Sequence, residues 1–306
     1  MRSKYNLPRL YIEDEISLEG VPPQPFIKWA GGKTQILRDL KNHFPDHKTT
    51  LNHNYFEPFV GGGAVFFWCK PEQAFLSDCN RDLINAYRVI RDNVSILMSE
   101  LDTFSKKSLS KETYNTNRER YRQLVHDRDE KDDILRAALL IFLNKTCYNG
   151  LYRVNQKGAF NVPFGHYLRP PSLYSRENLL SVSEHLQKAN IRCAPYDWIL
   201  DEAEKGDFIY FDPPYDSPSP RNGFTSYNKN SFLRDEHNHL FEVFRKLDDR
   251  GCYIMLSNAK TEFIEELYSD YEHYTHVLEA HRMINCKGSE RVNFEELLIL
   301  NYNSAN

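Results

Sequence analysis

Apolar residues in the first third of the chain fall into short runs that end in glycine or acid. The run Asn54–Phe59 ("NYFEPF") predicts a short buried strand leading into Gly61, Gly62 and Gly63. A helix is expected from Ala64 to about Lys70, and Ala74–Asp78 ("AFLSD") predicts a second strand that ends in an acid. In "RDLINAYRVIRDN" the spacing of Leu83, Ile84, Tyr87 and Ile90 places them on one helical face. Strand, glycine turn, helix, strand, acid, helix is the start of a parallel α/β sheet.

The pattern then changes. Lys111–His126 and Asp132–Leu143 read as helices, the second capped by Asp132 or Asp133. A polar, aromatic stretch without periodicity runs from Asn144 to Pro171, and stretches of that length are functional or disordered; its Tyr, Phe and Val content favours an ordered, functional one. Ser175–Lys188 returns to helix. Strands are expected at Asn190–Trp198, Asp207–Phe211, Cys252–Ser257, His273–Ala280 and Glu295–Tyr302, with helices near Phe232–Leu247 and Thr261–Tyr268. No helix separates the last two strands, so they should form an antiparallel hairpin at one sheet edge. The expected fold is a doubly wound, mostly parallel α/β domain built from residues 26–94 and 190–306. Residues 95–189 form an insertion, and residues 1–25 an irregular acidic lead.

No apolar run approaches the ~20 residues of a membrane span, and the N-terminus lacks the apolar core of a secretory signal. A cytoplasmic protein is expected. Six scattered cysteines without a CxxC pair read as reduced, buried or half-buried thiols rather than zinc ligands. The net charge of −4 argues by itself against a polyanion as partner. Its distribution points the other way: Lys106–Arg176 carries 14 Lys/Arg against 7 Asp/Glu, so the segment is +7 and the remainder −11. A basic middle in an acidic frame suggests that the insertion faces nucleic acid. A solvated helix face is the plainer alternative, since "HDRDEKDD" mixes both signs.

Three clusters carry candidate chemistry. "WAGGKTQIL" (Trp29–Leu37) contains the "GKT" of a phosphate loop, but position 27, where the loop needs glycine, is Ile27. Gly61–Gly63 followed by Asp78, 17 residues beyond Gly61, fits a turn that approaches a nucleoside and an acid that accepts ribose hydroxyls. That geometry suits NAD and S-adenosylmethionine alike. "DFIYFDPPYDSP" ends a strand in Asp212, and Pro213-Pro214 stops the ladder. The Asp212 carboxylate and the Pro213 carbonyl can accept the two hydrogens of an exocyclic amine, while Tyr215 offers a flat face to its ring. An ordinary Pro-Pro turn with an Asp cap would look similar.

Together, "KWAGGK", "FEPFVGGGAVF", "DCN", "NKTCYNGLYRVNQKGAFNVPFGHY" and "DPPY" resemble the Dam-type, D12-class DNA adenine-N6 methyltransferases from about Phe26 to Tyr302. The resemblance implies a Rossmann-like S-adenosylmethionine methyltransferase sheet with an inserted helical and β-hairpin recognition domain. It implies cofactor contacts from Trp29, Ala30, Gly31, Lys33, Glu57, Phe59, Gly61, Gly63, Asp78, Asp197, Trp198 and Asp212, with no metal. It makes Asp212, Pro213 and Tyr215 catalytic. It places Tyr148, Asn149, Leu151, Arg153, Pro163 and Tyr167 at double-stranded DNA, within GATC, with the target base extruded. His166 stands where a basic residue is common in the family. A DPP-aromatic motif also suits cytosine N4 or an RNA base, and a non-catalytic DNA-binding module is a further alternative. A monomer suffices, and a restriction endonuclease acting on the same site is a possible partner.

Overall fold

The computed structural model describes residues 21–33, 36–45, 53–216, 232–280 and 294–304. Most of the expected acidic lead, Thr34 of the "GGKT" segment and Cys286 lie outside the described residues.

Seven strands form one sheet: β1 Tyr55–Glu57, β2 Ala74–Ser77, β3 Ala189–Arg192, β4 Phe208–Phe211, β5 Tyr253–Ala259, β6 Thr275–Ala280 and β7 Phe294–Leu300. Their order is β3-β2-β1-β4-β5-β7-β6. The first five pair in parallel, and β7 runs antiparallel between β5 and β6. The expected edge hairpin is therefore present. β1 and β4 are buried at every position, as parallel strands covered on both faces must be. Alternate residues divide between two cores: Ile209, Phe211, Ile254 and Leu256 face one, Tyr210, Met255 and Leu298 the other.

The helices are α1 Leu37–Lys41, α2 Ala64–Cys69, α3 Arg81–Ser105, α4 Lys111–Asp127, α5 Asp133–Thr146, α6 Arg176–Leu186, α7 Arg234–Arg250 and α8 Glu262–Leu267. Asn80 starts α3 by accepting from the N–H groups of Asp82 and Leu83. This helix runs on well beyond the Arg81–Asn93 segment whose apolar spacing predicts it. Asn93 is a kink, with φ −139° and ψ 32°, after which Leu97, Leu101 and Phe104 re-form a buried stripe. α5 is buried nearly all round and packs against α3 and α4.

Three further expectations need correction. The strand expected over Asn190–Trp198 stops at Arg192, and Tyr196–Asp201 is a 3-10 helix begun by Pro195. Proline has no N–H for the ladder. Cys79 and Cys193 are exposed; all five described cysteines are free. The cap proposed for α5 is also different: Asp132 makes no side-chain cap, and Asp129 instead caps a preceding 3-10 turn.

Candidate active site

The sheet order places β1 between β2 and β4, so successive crossovers leave in opposite directions and open a crevice at the carboxyl ends of these strands. An acid stands at each end: Glu57 closes β1, Asp78 follows β2 and Asp212 follows β4. The Asp78 carboxylate accepts from Gly61 N (3.2 Å) and Asn80 N (2.8 Å), which ties the glycine turn to the start of α3. Burial pushes the Asp78 carboxyl up, and those two donors oppose the shift.

Lys33 and Asp212 form an ion pair at 2.6 Å. The same ammonium donates to Gly31 O at 2.9 Å and lies 4.7 Å from the centroid of the Tyr215 ring. "WAGGK" and "DPPY" thus meet at one cluster, although about 180 residues separate them. Asn144, near the end of α5, holds the first segment in place. Its carbonyl accepts from Lys28 N, and its amide donates to Lys28 O and Gly150 O, each at 2.9 Å. Pro213 is buried in the same turn.

Glu57 is buried and accepts from Tyr55 Oη at 2.7 Å. Burial pushes its carboxyl up to about 8; Tyr55 and Lys33 oppose the shift and Asp212 adds to it. Glu57 therefore keeps its proton at neutral pH. Between the ordinary value of 4.5 and about 8 the unfolded chain releases this proton and the folded chain retains it. Stability contributed by neutral Glu57 is therefore lost as pH rises through that window, on the order of a few kcal/mol. The Glu57→Gln variant should show a flatter loss of urea midpoint from pH 5 to pH 8. A slope equal to that of the parent protein would rule out Glu57 as its source.

Aromatic rings surround the crevice. Trp29 stacks on Tyr152 with centroids 4.9 Å apart, and its indole lies where a Cβ on Gly61 would be, 2.9 Å from Cδ1. Phe59 stacks on Tyr196 at 5.2 Å and meets Phe232 edge-on. Trp198 turns its Nε1 to Ser77 Oγ at 2.7 Å, and the Arg192 guanidinium covers its ring at 4.4 Å. Asp197 sits half-buried beside it on the 3-10 helix, and Ala30 and Gly31 form the turn before Lys33. Tyr152, Asn144 and Glu296 were not singled out from sequence, and Tyr87 was marked only as part of a helical face. Each acts here through a partner distant in sequence, which no local pattern reveals.

The 144–171 stretch is ordered around two isolated bridges, Cys147 to Phe164 and Val154 to Phe160. Its turn is formed by Asn155–Gly158, where Asn155 Oδ1 accepts from Lys157 N and Ala159 N. The Asn149-Gly150 pair is a separate left-handed bend at its base, and Gly150 leaves room there for the Lys28 side chain. Asn149, Arg153, Pro163, His166 and Tyr167 are exposed; Tyr148 and Leu151 are half-buried. Arg153 is steered by Asn161, its Nε donating to Oδ1 at 2.8 Å. Tyr167 lies against Gly165, with its hydroxyl 2.7 Å from Cys147 O and 3.1 Å from Lys145 O. This fixes the ring to the base of the stretch.

A doubly wound sheet with acids at the ends of β1, β2 and β4 defines a Rossmann-like α/β enzyme. The chain matches the family described as D12 class N6 adenine-specific DNA methyltransferase over residues 29–284. It is 42% identical over 292 residues to "Type II methyltransferase M.MjaIII" of Methanocaldococcus jannaschii, covering 91% of this chain and 99% of that protein. It is 39% identical over 285 residues to "Type II methyltransferase M1.LlaDCHI" of Lactococcus lactis subsp. cremoris, covering 91% and 95%. It is 33% identical over 276 residues to the "DNA adenine methylase" of Escherichia coli K12, covering 90% and 94%. The chain belongs to the D12 class of N6 adenine-specific DNA methyltransferases. Its substrate is thus DNA and its methyl donor S-adenosylmethionine. Among the described residues no group of His, Cys, Asp or Glu could hold a metal ion, and no helix is long and apolar enough to cross a membrane.

Proposed function

We propose that this chain is a site-specific methyltransferase that modifies adenine N6 within GATC in double-stranded DNA, acting on a base rotated out of the helix. The carrying observation is the cluster of Asp212, Lys33 and Tyr215 at the carboxyl end of β4, beside the glycine turn and Asp78. In this reading Asp78 accepts the ribose hydroxyls of the cofactor, an arrangement that its tethering by Gly61 and Asn80 supports. Trp29, Ala30, Gly31, Glu57, Phe59, Gly61, Gly63, Asp197 and Trp198 complete the pocket. The Phe59–Tyr196 stack offers an aromatic wall for a flat adenine.

S-adenosylmethionine supplies an activated methyl on a sulfonium. The protein's own work is orientation. Adenine N6 is a weak nucleophile because its lone pair is delocalised into the ring. The Asp212 carboxylate and the Pro213 carbonyl take its two hydrogens, turn the lone pair toward the methyl and stabilise the charge that develops on nitrogen. Tyr215 stacks on the ring. Lys33 lies over the Tyr215 ring and pairs with Asp212; in this proposal it gives up both to the base and turns to the cofactor carboxylate. N6 is paired inside duplex DNA, which is why the base must leave the stack.

Residues 95–189 form the recognition part in this proposal, with 26–94 and 190–306 as the catalytic part. Arg153 reads guanine through O6 and N7. Leu151 and Pro163 offer apolar contacts to thymine methyls, and Tyr148 or Asn149 fills the gap left by the extruded adenine. Tyr167 supports the hairpin base at the DNA. A monomer carries every motif. A cytoplasmic location and a cognate endonuclease fit the same reading; two relatives bear type II names.

Labelled S-adenosylmethionine with duplexes containing or lacking GATC tests this. Transfer only to the GATC duplex is expected. Equal transfer to both would remove the specificity, and no transfer to either would remove the proposed activity. The Arg153→Ala variant should lose ~1–3 kcal/mol of discrimination at the guanine while retaining transfer. Unchanged preference across single-base variants of the site would refute its role.

A further inference from the structure

We propose that Glu296, on the antiparallel strand β7, is a positioning residue for methyl transfer: it holds the Tyr215 hydroxyl and thereby fixes the ring against which the target adenine stacks. The inference rests on the reading of Tyr215 given above.

Tyr215 Oη donates to Glu296 Oε2 at 2.9 Å, and both side chains are largely shielded from water. The acceptor is itself buried, so water cannot replace the bond once it is lost. The loop needs such a tether. Pro213 and Pro214 remove two consecutive N–H groups, so the backbone cannot be anchored there by its own donors. Anchors come directly afterwards from the β5–β7 side. Asp216 N donates to Asn258 Oδ1 at 3.1 Å, and the Asp216 carboxylate accepts from Thr261 Oγ1 at 2.8 Å. Tyr215 is the side-chain anchor of this set.

Topology explains why the acid comes from β7. Because β7 is antiparallel, its first residues lie at the carboxyl end of β5, with Glu296 opposite Ala259. A parallel strand in that place would bring its last residues to this edge instead. The single reversal of direction beside β5 thus delivers a buried acid to the catalytic side of the sheet. The acid acts on the Tyr215 hydroxyl, and the Lys33 ammonium over the ring shows that its face accepts a cation. On the reading of Tyr215 above, the positive charge that develops on N6 during transfer meets the same ring face.

The test uses the full chain with a GATC duplex, comparing Glu296→Gln, Glu296→Leu, Tyr215→Phe, Tyr215→Ala and the Glu296→Leu/Tyr215→Phe double variant. kcat, the cofactor KM and thermal unfolding are measured for each. Glu296→Leu and Tyr215→Phe should each lower kcat about 10-fold, with the cofactor KM unchanged. Glu296→Gln retains an acceptor and should stay within about 3-fold of the parent. The double variant should be no slower than the slower single variant, since both remove one interaction. Losses that multiply, a Gln variant as slow as the Leu variant, or Tyr215→Phe at full rate would each overturn the proposal. Should the Leu variant fail to fold, Gln against Tyr215→Phe decides: Gln retained and Phe slowed supports it, and equal loss overturns it. Tyr215→Ala separates the two levels. Full activity there defeats the reading of Tyr215 itself, whereas an inactive Ala variant beside a fully active Glu296→Leu defeats only the inference.

Discussion

Replacing Asp212 by alanine should lower methyl transfer by at least ~10³-fold, weaken cofactor binding far less than it lowers the rate, and leave the fold and DNA binding in place. The carboxylate is the acceptor that both orients the N6 lone pair and balances the charge that develops on nitrogen, so its loss removes two contributions together. The fold should survive. Asp212 lies at the open end of β4, outside the ladder, and its partner Lys33 keeps a second acceptor in Gly31 O at 2.9 Å and a ring beneath it at 4.7 Å. A buried ammonium that loses its carboxylate does destabilise its surroundings. The variant should therefore unfold at a somewhat lower temperature, without a change in cooperativity. Single-turnover transfer, together with calorimetric titration of S-adenosylmethionine, separates the effects. Transfer within 10-fold of the parent would exclude Asp212 from the chemistry. Loss of cofactor binding equal to the loss of rate would make it a binding residue alone.

Much of this site was legible because its parts are local. Gly61–Gly63 and Asp78 lie on one strand–turn–helix–strand unit, and a strand that ends in Asp212-Pro213-Pro214 states its own stop. The family motifs assigned Lys33 and Asp212 to one cofactor; their direct pairing comes from the structure. What sequence did not convey depends on distance or on competition between local preferences. The Asn144 clamp joins residues 116 positions apart, and the Tyr215–Glu296 bond joins residues 81 apart. Neither leaves a periodic trace. At Asn93 the helix kinks and its apolar stripe resumes in a new phase, so the spacing of Leu83–Ile90 does not carry through to Leu97. Proline decided the strand after Ala189 against an apolar run that favoured extension. The aromatic stretch 144–171 was rightly read as ordered, but nothing in its pattern located its turn. The turn lies at Asn155–Gly158, where an Asn side chain can accept two backbone N–H groups.

The glycine cluster changes meaning most, and a substitution there should have the largest effect on stability. From sequence, its glycines make room for a ligand. In the structure, a Cβ on Gly63 would lie 2.5 Å from Tyr87 Oη and 2.9 Å from Phe67 Cε2, and φ is +70°. Both neighbours are among the fully buried side chains, so neither can yield into solvent. Gly63→Ala therefore combines left-handed strain, roughly 1 kcal/mol, with overpacking, roughly 1–3 kcal/mol. The damage should spread to function by a defined route. Tyr87 Oη donates to Gly61 O at 3.0 Å, and Gly61 N donates to Asp78. Displacing Tyr87 releases the turn that fixes the acid proposed for the ribose. The expected result is a lower unfolding midpoint in urea together with a raised cofactor KM, and kcat changed less than KM. Gly158→Ala is the control: it has a similar φ of +76° but open space around its Cβ, so it should carry strain alone and leave the cofactor KM unchanged. Equal destabilisation by the two substitutions would show that backbone conformation, not the Tyr87 and Phe67 contacts, sets the requirement for glycine at position 63.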